Sequence, residues 1–511
     1  MLRRRLMLPF VAVAIALVNS AGLAAAQTNP QRGGTLNIGF PSDSKTLDPT
    51  FSVQFTEREV LYLVYNTLVR FGSDFSIQPE LATNWTIDGE GKRITFNLRS
   101  GVKFQDGTPF NADAVKWNID HRLDPKVASS QRQQLSPIIE SVEVTDPSTV
   151  VFHLKEPSPG LLSLLGERPG FMISPAAAAK YGPDLGNHPV GTGPFVFKEW
   201  VKGSDIVLER NPDYWDQGKP YLDKIVFRDI SDSVVGIQRL LTGEVDYVGE
   251  ISPQEVRQIE GRPGIGLYPI TVGRWYSLQW HVYEPPFNNE KLRQAVAYAI
   301  DKDRINEILM GGKGKISQGP TPEGLWWYDP KIKSYPQDPE KAKALLAEAG
   351  YPNGFQFVLS TPQVAVFQQL NQLLQEQFAS VGIKVRLEPV ASSEWYDRVV
   401  KRATNFTPTR WTQRPDPDGL LYILFDKSGY ANTTGYDNER VNQLLEQARS
   451  TYDREVRKGM YDEVQSILAK DVPMLPLFSS VEYAALSEQV KGFEWIPDQI
   501  PRFRDLWITR K

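Results

Sequence analysis

The chain has 511 residues, 57 Lys and Arg against 61 Asp and Glu, a formal net charge of −4 and no cysteine. A mildly acidic chain without basic runs argues against nucleic acid as a partner, and the lack of thiols excludes disulfides and thiol chemistry. A hydrophobic content of 41% at this length fits a globular protein of two or three domains.

The first residues read as a leader. Arg3, Arg4 and Arg5 precede a short apolar stretch over 6–18, and Ala24, Ala25 and Ala26 offer a small-residue cleavage site. Residues 1–26 are thus expected to be a cleaved signal peptide, with the mature chain starting at Gln27. No lipid-accepting cysteine stands at that site, so the mature protein is expected to be free in a periplasm. After Ala26 no apolar run is long enough to cross a membrane.

Residues 34–40 open the mature chain as a strand, and 59–69 carry the period of a helix. Ile94, Phe96 and Leu98 alternate with polar residues as a half-buried strand does. A second short strand is expected at 102–104, ending at the turn Asp106-Gly107, and Asn111 stands where a helix cap belongs. Residues 142–145 and 150–154 read as a hairpin. Gly191 and Gly193 lack the third glycine or Lys-Ser/Thr of a phosphate loop and read as a tight turn. A helix is expected over 289–310, and another between the cap Asp338-Pro339 and the stop Gly350. Strand 355–359, helix 367–378 and strand 383–387 make a βαβ unit, so this half is α/β with a mixed or parallel sheet. Amphipathic helices follow at 438–449 and 454–469.

The residues themselves carry a resemblance. The runs Leu81-Ala-Thr-Asn-Trp85, Thr95-Phe-Asn-Leu-Arg99, Val102-Lys-Phe-Gln-Asp-Gly107 and Ala112-Asp-Ala-Val115 closely resemble the signature of the large periplasmic solute-binding proteins. This is the peptide-, nickel- and opine-binding class that feeds ABC importers. Residues 190–196, 206–215, 288–301, 338–350 and 473–478 match the same family, so the resemblance spans nearly all of the mature chain. It implies an α/β, bilobed fold with mixed sheets, a cleft between two lobes and an extra inserted subdomain. Lobe I would comprise 33–71, 189–279 and 491–511, the inserted subdomain 72–188, and lobe II 280–490. It implies a monomeric, non-catalytic receptor that captures a small molecule and delivers it to an inner-membrane ABC permease. The alternative is a periplasmic enzyme or chaperone on the same scaffold.

The sequence offers no Gly-x-Ser-x-Gly elbow, His-Glu-x-x-His or phosphate loop. The four histidines are scattered, so no resident metal or cofactor is expected, although a chelated metal could still be cargo. In peptide-binding relatives, an acid three residues after a cleft tryptophan pairs with the ligand's ammonium group. Here Trp411 keeps its place, but Arg414 stands where the acid would be, ahead of Asp416. A guanidinium there would attract carboxylate or phosphate and disfavour a conventional free-amine dipeptide. The cargo is therefore expected to be small, polar and anionic: peptide-like, opine-like or a conjugate. The competing reading has Arg414 in solvent and Asp416 or Asp418 capping a helix near Gly419. The segment around Arg168 resembles one that meets ligand carboxylates in the nickel-chelate branch; a surface salt bridge with Glu167 is the alternative. Gln54 and Phe55 lie in the family's first-lobe contact loop. Trp275 and Tyr276 alternate on a strand, so at most one faces the cleft, and Tyr276 is the candidate. Trp326 and Trp327 would either fold over the cleft or staple their loop to lobe II.

Overall fold

The computed structural model describes residues 29–40, 44–270, 274–321, 323–391, 394–395, 398–399 and 401–509. The expected leader, 1–26, and Gln27 lie outside the described residues.

Lobe I is built on a seven-stranded mixed sheet. In spatial order its strands are Ile265–Pro269, Tyr483–Ser487, Tyr247–Ile251, Thr35–Phe40, Lys224–Asp229, Asp205–Arg210 and Phe195–Trp200. Thr35–Phe40 runs parallel to both of its neighbours, and a parallel strand flanked on both sides is a buried one. Leu36, Ile38 and Phe40 accordingly pack with Val60, Leu61 and Val64 of the helix Glu57–Val64. That helix ends earlier than its periodicity suggests. Tyr65 is extended, Asn66 and Thr67 spend their side chains on Glu80, and Val69 begins a strand. A Cβ on Gly191 or Gly193 would stand 2.3 Å from the carbonyl of Val64 or Leu63 respectively, so close packing against this helix end requires both glycines.

The inserted subdomain is a four-stranded antiparallel sheet in the order Ala82–Ile87, Arg93–Leu98, Thr149–Leu154, Ile139–Asp146. Ile94, Phe96, Val150 and Phe152 bury their side chains in its core. Helix Ala112–Leu123 begins at Asn111, whose Oδ1 accepts from the Ala114 N–H at 3.0 Å. The expected strand at 102–104 is only an isolated bridge, Lys103 to Pro109, around the Asp106-Gly107 turn.

In lobe II the strand Gln356–Pro362, helix Ala365–Ser380 and strand Lys384–Val390 form a parallel βαβ unit. Beside it lies a second sheet in the order Lys315–Ile316, Met474–Ser479, Trp275–Trp280, Phe406–Trp411. The helix expected over 289–310 is two helices, Glu290–Tyr298 and Lys302–Met310, because Asp301 caps the second one at the Arg304 N–H.

Strand pairing shows which sheet the segments near the expected crossings join. Trp275–Trp280 pairs wholly within lobe II, and Tyr483–Ser487 pairs wholly within lobe I. Ala177 and Leu185, placed in the subdomain by sequence, pack into the lobe I core.

Candidate ligand-binding cleft

The first wall of the cleft is a loop organised by one carboxylate. Glu57 is fully buried at the start of its helix, where the unpaired N–H groups favour negative charge. It accepts from the N–H groups of Lys45, Thr46, Val53 and Gln54 at 2.9–3.3 Å, and from Ser52 Oγ at 2.8 Å. Arg168, from the subdomain, clamps the same loop. Its Nε donates to Ser52 Oγ at 3.2 Å, and its Nη2 donates to the carbonyls of Val53 and Gln54. The Gln54 side chain bonds within the loop, accepting from the Lys45 N–H at 3.3 Å. The Phe55 ring sits between Arg58 and Arg274, each guanidinium 5.0 Å from its centroid.

Beyond this loop three guanidinium groups meet one carboxylate. Glu167 pairs with Arg58 at 3.3 Å and, across the cleft, with Arg414 of lobe II at 3.4 Å. Arg168 adds its field to the same group. Burial opposes ionisation of Glu167, but Arg414, Arg58 and Arg168 outweigh it and hold the carboxyl below its usual range. Arg168 feels the reverse: burial, reinforced by repulsion from Arg58 and Arg414, pulls it down to about 9. Glu57 also acts on Arg168, and Asp498 on Arg58. Glu167 and Arg414 border a cavity of about 590 Å³ between the subdomain and lobe II, lined on opposite sides by Gly160, Leu164 and Glu167 and by Arg414, Asp418 and Tyr422.

Arg414 thus faces lobe I rather than bulk solvent, and is about a third exposed at its side chain. Trp411 is half-buried, with Nε1 donating to Thr409 Oγ1 at 3.2 Å. Asp416 also lines the cavity, but its charge is committed: both oxygens accept from Arg457, at 2.9 and 2.7 Å. It also caps the turn Pro417–Gly419. Tyr276 departs from the expectation. It is 3% exposed and stacks on Phe478 in the lobe II core, with only its hydroxyl near Arg410; Trp275 is buried too. A strand paired on both edges and covered on both faces leaves neither residue to the cleft. Trp327 is fully buried, and Trp326 donates to the carbonyl of Pro415 at 3.2 Å, so this pair braces the loop carrying Arg414.

Arg58 and Glu59 escaped the sequence reading, and Asp418 entered it only as an alternative helix cap. A signal existed for the first two. Among the residues of Glu57–Val64 only Tyr62 is not buried, so a helix with apolar residues on every face begins with three charges that need partners. Among the described residues no group of three or more His, Asp or Glu could hold a metal ion, and no helix is long and apolar enough to cross a membrane.

Residues 76–432 match the family model of the bacterial extracellular solute-binding proteins, family 5. The chain belongs to that family. It is 32% identical over 506 residues to the glutathione-binding protein GsiB of Escherichia coli O1:K1 / APEC, with 96% of each chain covered. The periplasmic binding protein DppA from Helicobacter pylori, in complex with the peptide STSA, superposes with a TM-score of 0.83 at 28% identity, covering 94% of this chain and 99% of that one. AgaA from A. tumefacien R10, in complex with agropinic acid, superposes with a TM-score of 0.81 at 29% identity, with the same coverage. The fold is the bilobed periplasmic-binding-protein fold, and this family 5 protein is a substrate-binding component of an ABC importer, not an enzyme.

Proposed function

We propose that this family 5 receptor is a periplasmic monomer, exported by its cleaved leader, that captures a carboxylate-bearing solute of small-peptide size. Arg58, Arg168 and Arg414 supply the positive wall, Trp411 and Phe55 the aromatic contacts, and the backbone of Gln54 part of the rim. Arg168 and Arg58 reach the cleft from the subdomain and lobe I, and Arg414 from lobe II, so an anion held among them favours the closed state. The closed form then docks on the inner-membrane permease. One observation carries this reading: Arg58 and Arg414, from opposite lobes, both pair with Glu167, and Arg168 lies within the field of the same carboxylate. The cavity volume falls in the range of small-molecule sites. Relatives named for glutathione, a peptide and agropinic acid take ligands that all bear carboxylates.

Titration calorimetry with glutathione, Ser-Thr-Ser-Ala and agropinic acid, each as the acid and as its carboxyl amide, tests the proposal. A charge-assisted contact contributes about 1.5–3 kcal/mol, so amidation is expected to weaken binding by about one to two orders of magnitude. Arg414→Ala is expected to remove most of the difference between acid and amide. Trp411→Ala is expected to weaken both forms alike, through lost packing. Equal binding of acid and amide by the unmodified protein would overturn the anionic-cargo reading.

A further inference from the structure

A second, smaller cavity lies where lobe I meets the interlobe crossings. It is lined by Phe55, Glu59, Tyr247, Glu250, Arg274 and Glu482, among others, and its free space of about 10 Å³ is that of one water-sized group. Its charge is opposite to that of the Glu167 cluster. Glu250 and Glu482 share one guanidinium, Arg274, which bonds Glu250 directly and approaches Glu482 at 3.6 Å. Glu482 Oε2 is buried without a hydrogen bond among the described residues.

Glu59 is the least provided for. It is 5% exposed, it lines the cavity, and its carboxyl has no hydrogen-bond partner among the described residues. The surrounding cations are engaged elsewhere: Arg58 with Glu167, Arg502 with Asp498, Arg274 with Glu250, while Arg410 acts on Glu250. Burial and the neighbouring Glu250 raise the Glu59 pKa well above the usual carboxyl range, against the pull of Arg274, Arg58 and Arg502. A buried acid without a donor is costly unless it meets one, and an ammonium group is a donor of the size this space admits.

We propose that Glu59, flanked by Glu250 and Glu482, receives an ammonium group of the ligand, so that the cleft reads a zwitterion across Phe55. This rests on the carboxylate reading above. It moves amine recognition from the lobe II position that Arg414 occupies to the lobe I side of the crossings. The Phe55 ring touches both charge clusters, with the guanidinium groups of Arg58 and Arg274 each 5.0 Å from its centroid.

The probes are glutathione and Ser-Thr-Ser-Ala, each free, N-acetylated and carboxyl-amidated, titrated against the unmodified protein and Glu59→Gln. Acetylation is expected to weaken binding about tenfold or more, as loss of a charged hydrogen bond should. Glu59→Gln is expected to weaken the free-amine forms by a similar factor and leave the acetylated forms unchanged. Because Glu59 must release its proton to accept a cation, binding of the free-amine forms is expected to tighten as pH rises through the range in which Glu59 deprotonates, and Glu59→Gln to flatten that rise. If the variant does not fold, the acetylation and pH series on the unmodified protein decide alone. Equal binding of free and acetylated forms overturns the proposal, as does a failure of both probes to bind in any form. Sensitivity to amidation without sensitivity to acetylation leaves the carboxylate reading standing while this one falls; insensitivity to both removes the two together.

Discussion

Tyr452 of lobe II donates its hydroxyl to the carbonyl of Gly91 in the inserted subdomain at 3.1 Å. The same oxygen accepts from the Ser158 N–H at 3.4 Å, so one side chain holds two subdomain loops against the opposite lobe. Gly91 has φ +73°, and a Cβ there would stand 2.6 Å from the Tyr452 ring, so both its conformation and its proximity require glycine. These contacts join elements of opposite lobes.

Tyr452→Phe removes both bonds and keeps the ring. At about 1 kcal/mol per hydrogen bond, the variant is expected to bind glutathione about fivefold to thirtyfold more weakly. Small-angle scattering should show a larger radius of gyration than the unmodified protein at equal ligand saturation. An unchanged affinity and radius would mean that closure does not draw on this contact.

Asp416→Ala is expected to act on stability before it acts on binding. The Arg457 side chain is 5% exposed and holds Asp416 with two bonds, so truncation strands a buried guanidinium. Breaking such a pair costs about 3–5 kcal/mol, which urea unfolding would register as a lower midpoint. Arg457→Met on the same background is expected to restore part of the loss, since it removes the stranded charge.

Arg168→Ala is expected to free the 52–54 loop from the subdomain as well as to remove one cation from the cleft. Amide exchange at Val53 and Gln54 should accelerate while the seven-stranded sheet keeps its protection. Affinity for a carboxylate probe should fall by about tenfold or more. Retained loop protection with reduced affinity would assign Arg168 to charge alone.

Burial pushes the Asp418 carboxyl up to about 6; Arg449 opposes the shift and Asp416 adds to it. Asp418 pairs with Arg449 at 3.2 Å. A raised acid binds its proton more tightly in the folded state, so its contribution is fully present below about pH 4 and is lost as pH rises through about 6. Asp418→Asn lacks this dependence. Its stability relative to the unmodified protein is expected to rise by about 1–3 kcal/mol between pH 4 and pH 7, read from urea unfolding at both values. A constant difference across that range would show that Arg449 neutralises the group completely.

Much of the fold was legible where local and tertiary signals agree. The βαβ unit of lobe II showed because alternation and helical period meet in one short segment, and the Asn111 and Asp338 caps showed because each bonds its own first turn. The break between the helices Glu290–Tyr298 and Lys302–Met310 did not, since an apolar stripe continues across it and only Asp301 marks the restart. The sheet that Trp275–Trp280 joins was not legible, because a strand's sequence does not say which sheet it enters. In the cleft, the loops of Arg168 and Arg414 drew attention to two residues that the structure places near Glu167. Tyr276 was assigned to the cleft although both faces of its strand are covered. Arg58 and Glu59 were missed because charged residues at a helix start ordinarily face water, and here the helix has almost no water to face.

The loop held by Glu57 also bears on kinetics. Five donors converge on that carboxylate, so the rim carrying Gln54 and Phe55 is ordered before any ligand arrives. No chain segment there has to fold between encounter and capture. The remaining slow coordinate is the relative motion of the lobes, and association rates should respond to changes at the crossings near Arg274 and Ser480 far more than to changes in the rim itself.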